Sequence, residues 1–190
     1  MIEKNLEIII CAAKQVTKDY LKLTTTYEPS GIVRERVFCY ELYHQLRLIL
    51  RDNNTLTLNG EIDKRGHRDF RVEDQKNPDF VFHIPGKHTG NTIILEVKGN
   101  LDSNGIIKDF ETITTFISKY QYKAGIFLLY NHTLEELLER LGDRLDKFIY
   151  SQYSEQIFIA TLPKAHQIES RISLKELEIQ SKQKAYGTTK

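Results

Sequence analysis

The segment AGIFLLYN, residues 124–131, offers no polar face in either parity. A strand of that kind needs cover on both sides, and that demands helices above and below a sheet. A second such run, QIFIATL at 156–162, is stopped by Pro163. Between and around these runs the apolar period changes to that of a helix. Ile106, Phe110, Ile113, Ile117 and Tyr120 recur at gaps of four, three, four and three, behind a capping Asp102 or Ser103. Thr133 and Glu136 form a capping box that opens a helix through Leu134, Leu137, Leu138, Leu141, Leu145 and Phe148. Its acidic Glu135, Glu136 and Glu139 suit the first turn and outer face.

Upstream, Ile2, Leu6, Ile9, Ile10, Ala13, Val16 and Tyr20 predict a helix over 2–21, and Phe38, Leu42, Leu46 and Ile49 predict a second. Leu56, Leu58 and Ile62 alternate with polar residues and predict a strand with one polar face. Strands at about 79–84 and 92–98 follow the polar stretch DKRGHRDFRVEDQKN. The order is helix, helix, three strands, helix, strand, helix, strand. It predicts an α/β three-layer sandwich with a mixed central sheet flanked by helices. The domain is expected over 1–162, followed by a polar C-terminal tail, 163–190, whose end SKQKAYGTTK shows no packing pattern.

A chain of 190 residues can bury one sizeable core. Its net charge of +1 leaves any nucleic-acid or membrane surface to a local cluster. Cys11 and Cys39 lie in apolar helical patterns, with no Cys or His at zinc-ligand spacing, and read as core thiols of a reducing compartment. No apolar run approaches the roughly 20 residues of a membrane helix. Glu3, Lys4 and Glu7 crowd the first apolar stretch too closely for a signal peptide, so a cytoplasmic location is expected.

The chemistry concentrates in NPDFVFHIPGKHTGNTIILEVKGN, residues 77–100. Strand alternation puts Asp79, Val81 and His83 on one face, and Ile94, Glu96 and Lys98 on one face of the next strand. In a hairpin, two carboxylates and an ammonium then converge. Close carboxylates repel, and a hard divalent cation resolves the repulsion. Mg²⁺ or Mn²⁺ would suit Asp79, Glu96, the Val97 backbone carbonyl and waters. Such an ion acidifies a bound water and stabilises charge on a phosphoryl oxygen. Lys98 could orient or deprotonate that water. The bland reading makes Asp79 a strand cap and joins Glu96 and Lys98 as a cross-strand ion pair. Glu61, on the polar face of the first strand, is a rival third acid or an exposed strand residue, and His83, on the Asp79 face, reads first as a satisfied core histidine and second as a neighbour of the site.

Pro78-Asp79 followed by Glu96-Val97-Lys98 resembles the bipartite motif of the PD-(D/E)XK nuclease superfamily, the restriction-endonuclease-like fold. The resemblance spans roughly residues 30–162. It implies metal-dependent phosphodiester hydrolysis, with Asp79 and Glu96 as ligands and Lys98 as the catalytic lysine. Many members carry an extra glutamate on the helix before the sheet, and Glu41 in RVFCYELYHQLR matches that position. Its alternative is an i,i+4 hydrogen bond with Gln45. The implied protein is a small Mg²⁺-dependent nuclease, with DNA ahead of RNA as substrate, in genome defence, a mobile element or repair. A second copy or a partner protein would supply target recognition. Lys64, Arg65, Arg68 and Arg71 form the densest cationic cluster and are the expected nucleic-acid contacts. The competing expectation is a nuclease-like domain without catalysis, binding nucleic acid inside a larger complex.

Overall fold

The computed structural model describes residues 2–51, 56–60, 77–85 and 88–187. Strands β1 (Thr57–Gly60), β2 (Phe80–His83), β3 (Ile93–Lys98), β4 (Ala124–Tyr130), β5 (Ile157–Leu162) and β6 (Ser170–Ser173) lie side by side in chain order in one sheet. β1, β2 and β3 pair antiparallel as a meander. β3, β4 and β5 run parallel, and β6 returns antiparallel to β5. The parallel steps require crossovers. Helix α4 (Ser103–Tyr120) makes the first. Helix α5 (Leu134–Leu141) and the single turn α6 (Asp146–Ile149) make the second.

Alternation along each strand divides the apolar residues between two faces. Phe80, Phe82, Ile93, Leu95, Val97, Ile126 and Leu128 pack with helices α1 (Ile2–Gln15) and α3 (Glu35–Leu50). Val81, Ile94, Phe127, Leu129, Ile157 and Ile159 pack with α4, α5, α6 and helix α7 (Leu174–Gly187). β4 is buried at every position, as the opening run requires. The arrangement is therefore an open, mixed six-stranded sheet with helices on both faces. At Gly125 a side chain would collide with Ile113 of α4, so the glycine lets that helix lie directly on the strand.

Several expectations shift. The first helix ends at Gln15, and Lys18–Leu21 forms a separate turn, α2, because Thr17 is extended at φ −80°, ψ 164°. Cys11 is exposed rather than a core thiol, since it lies off the stripe of Leu6, Ile9, Ile10 and Ala13, whereas Cys39 is buried. The helix read through Phe148 breaks at Gly142, whose φ of 49° leaves helical space. Most of 163–190 is not a tail: β6 extends the sheet and α7 buries Leu174 and Leu177. Arg171 also pairs with Glu3 and Glu7 of α1, tying this end of the chain to its start. No helix among the described residues is long and apolar enough to cross a membrane.

Candidate functional site

The site grows from the β2/β3 pairing. Phe80 faces Leu95 and Val81 faces Ile94, so one further step of the same register sets Asp79 against Glu96. Both share the face of Val81 and Ile94, toward α4. Two hydrogen bonds fix them. The Val97 N–H donates to Asp79 Oδ2 at 2.7 Å, and the Asp79 N–H donates to Glu96 Oε2 at 3.4 Å. Lys98, two residues beyond Glu96, lies at the end of the strand. Its Nζ is 3.3 Å from Glu35 Oε1 of α3 and 3.2 Å from Asp109 Oδ2 of α4. The contact to Asp109 is an ion pair without hydrogen-bond alignment, since Asp109 Oδ2 is buried with no hydrogen-bond partner. A cavity of about 320 Å³ opens on Asp79, Glu96, Lys98, Glu35, Asp109 and Lys108.

Four carboxylates there face two ammonium groups. Burial drives the Asp79 carboxyl up to about 6, against the Val97 hydrogen bond and with help from Glu35 and Asp109. Burial pushes Glu96, only 5% exposed, well above the usual carboxylate range, and the Asp79 charge adds to it. Burial raises Asp109 to about 6 although Lys98 pulls it down. For Lys98 burial favours the neutral amine, but Asp109 and Glu35 outweigh it and hold the group above its ordinary value. These two acids favour the ammonium form of Lys98, which suits it to donate and to neutralise charge.

Asp79, Glu96 and Lys98 therefore come together, whereas Glu41 does not join them. Its carboxylate accepts from Gln45 Nε2 at 2.6 Å, one turn further along α3. The acid that α3 delivers is Glu35, in its first turn. Asp109 was not anticipated. Its signal is positional: α4 starts just after β3 and doubles back, so its early turns pass the strand end. Val97 contributes its N–H to Asp79. His83 Nε2 bonds Asn59 Oδ1 at 2.7 Å across the β1/β2 pair and does not border the cavity. Glu61, Lys64, Arg65, Arg68 and Arg71 lie outside the described residues.

As they stand, no three His, Cys, Asp or Glu side chains among the described residues surround a common point closely enough to hold a metal ion. The donor set nonetheless fits a hard cation. Asp79 and Glu96 are neighbouring oxygen donors, both disfavoured as bare anions by burial, and the one ammonium beside them is already shared by Glu35 and Asp109. Comparison of the chain with family models, with curated proteins and with solved structures finds no match.

Proposed function

We propose that the chain is a divalent-cation-dependent nuclease of the PD-(D/E)XK type, with the restriction-endonuclease-like fold, hydrolysing phosphodiester bonds in DNA ahead of RNA. The observation that carries the reading is the pairing of Asp79 with Glu96 at the mouth of a cavity that also holds Lys98. A buried acid pair whose nearest ammonium, Lys98, is already engaged by Glu35 and Asp109 costs a metal-free fold stability, and a structural ion pair would not need the second acid. The order of elements around the site, a helix, an antiparallel meander and a crossover helix to a parallel strand, supports the same family reading.

In this reading Asp79 and Glu96 hold Mg²⁺ or Mn²⁺. Such an ion, when bound, would supply Lewis acidity toward a water and a phosphoryl oxygen. The chain's own residues do the rest. Lys98, kept protonated by Glu35 and Asp109, offsets the negative charge that develops on the phosphorane oxygens. The Val97 N–H holds the Asp79 carboxylate in one orientation. Glu35 takes the place of outer acid for which Glu41 was expected, and it steadies the lysine.

The test is a cleavage assay on duplex and single-stranded DNA and RNA, with Mg²⁺ or Mn²⁺ and then with chelator. Cleavage that needs the ion and disappears in Asp79→Asn and Glu96→Gln supports the proposal. Binding of nucleic acid with no cleavage under any of these conditions returns the domain to the non-catalytic class.

A further inference from the structure

Helix α3 begins at the acidic cavity and then carries a pattern that the acidic site does not use. Arg36, Tyr40, Tyr43 and Arg47 recur at gaps of four, three and four, which sets them in one stripe. All four are exposed, Tyr40 at 67% and Tyr43 at 37%. Tyr40 lies largely in water, and Tyr43, although it rests on Phe80, keeps part of its surface exposed, so the stripe offers aromatic surface beyond what the core uses.

Two further openings run beside it. One, of about 420 Å³, is lined by Glu35, Arg36, Cys39 and Asp79. The next, of about 370 Å³, is lined by Cys39, Tyr40, Tyr43, Asn59, Phe80 and Asp79, among others. Asp79 borders both of these and the acidic cavity. The three adjoin one another through shared lining: Glu35 borders the acidic cavity and the second opening, and Cys39 borders the second and the third, so carboxylates and aromatic rings lie along one side of Asp79. The Tyr43 ring lies 19° from parallel to Phe80 at 6.3 Å, which backs it as a flat wall.

A polyanion cannot approach four carboxylates unless cations flank them. Lys108 stands on one side of the acidic cavity, and Arg36 lines the passage on the other. The aromatic end selects further. In a duplex the base faces are already stacked, whereas an unpaired strand presents them to a tyrosine. An opening of about 370 Å³ is within the ordinary range for a bound small group and takes one base. We infer that these adjoining openings together bind an unpaired nucleotide strand, its bases against Tyr40 and Tyr43 and its phosphates near Arg36 and Arg47, with the adjoining phosphodiester beside Asp79 and Glu96. The inference rests on the nuclease reading and narrows its substrate to single-stranded nucleic acid. It also assigns contact to α3, where the sequence pointed to Lys64, Arg65, Arg68 and Arg71.

The experiment measures binding of short labelled oligonucleotides by anisotropy, in chelator so that nothing is cut. Single strands and matched duplexes are compared in deoxy and ribo form. The single strand should bind roughly tenfold tighter than the duplex, and Tyr40→Ala should weaken it by roughly tenfold. Tyr40→Phe should keep the affinity, because it keeps the ring face. Tyr40 is the position of choice because its exposure leaves the fold untouched. Equal or tighter duplex binding, or no effect of Tyr40→Ala, overturns the inference. So does a shift from dimer to monomer in Tyr40→Ala with nucleic-acid affinity unchanged, which would make the stripe a contact between two copies. The two readings separate in a cleavage assay. Ion-dependent cutting lost in Asp79→Asn, yet equal on both strand forms and indifferent to Tyr40→Ala, defeats the single-strand site while the nuclease stands. Tyr40-dependent single-strand binding with no cutting under any divalent ion defeats the nuclease while the single-strand site stands.

Discussion

Lys98 shows how neighbours decide what a side chain can do. Burial alone would favour its neutral amine, but Glu35 at 3.3 Å and Asp109 at 3.2 Å hold the ammonium. On the nuclease proposal, Lys98→Met should lower cleavage by about 10²-fold or more, the usual cost of one preorganised charge donor. Divalent-ion binding, read by calorimetry, should persist because lysine supplies no ligand oxygen. Glu35→Gln should also slow cleavage, by loosening Lys98, whereas Glu41→Gln should match the wild type. The reverse order would return the outer-acid role to Glu41. The carboxylates make a separate prediction about pH. The unfolded chain releases the protons of Asp79 and Asp109 near the ordinary 3.8, and the fold keeps them to about 6. Between those values the folded state binds more protons. The stability these groups contribute is thus complete at low pH and is lost as pH rises through about 6. Without divalent ions the protein should melt higher near pH 5 than near pH 7.5. Asp79→Asn, whose amide oxygen can still accept from Val97, should flatten that slope. It should add about 1–2 kcal/mol at the higher pH, measured by thermal melts in chelator. A variant melting below the wild type at pH 7.5 would mean that the Asp79 charge is compensated in the native protein.

Helix starts were legible where a side chain marks them. Asp102 accepts from the Asn104 N–H, and Thr133 and Glu136 close the capping box foreseen from their spacing. Thr133→Ala should cost about 1 kcal/mol in a denaturant titration, with no effect on the site. The start of α3 was not legible: its N-cap is Arg34, with no side-chain cap bond. The apolar stripe begins only at Phe38, so the sequence does not mark the turn that brings Glu35 to Lys98. The start of α7 does carry a signal in the sequence. Ser173 and Glu176 bond reciprocally, with Ser173 N–H to Glu176 Oε2 at 2.7 Å and Glu176 N–H to Ser173 Oγ at 3.1 Å. The S-x-x-E spacing is visible in SLKE, but the polar residues around it hid the helix.

The sheet's far edge makes the prediction that belongs to the whole molecule. β6 covers the open edge of β5, and α7 brings Leu174 and Leu177 onto the face shared with α4 and α5. Ending the chain at Pro163 should leave β5 as an unpaired edge of a hydrophobic sheet, giving aggregation or a broadened melt by light scattering and calorimetry. Removing only 188–190 should change neither. What the sequence by itself determined is the kind of the strongly periodic elements and the face of most of their residues, because periods of two and 3.6 are properties of the backbone; the short β6 and the polar α7 carry no such period. Those periods sufficed to set Asp79, Glu96 and Lys98 on one side of a hairpin, and AGIFLLYN in the middle of a covered sheet. Tertiary structure alone decided which acids of α3 and α4 reach Lys98, and that Tyr40 and Tyr43 of α3 line an opening that Asp79 also borders. Those outcomes depend on where a helix starts and how it crosses the strand ends, a matter of packing between distant segments that no local period records.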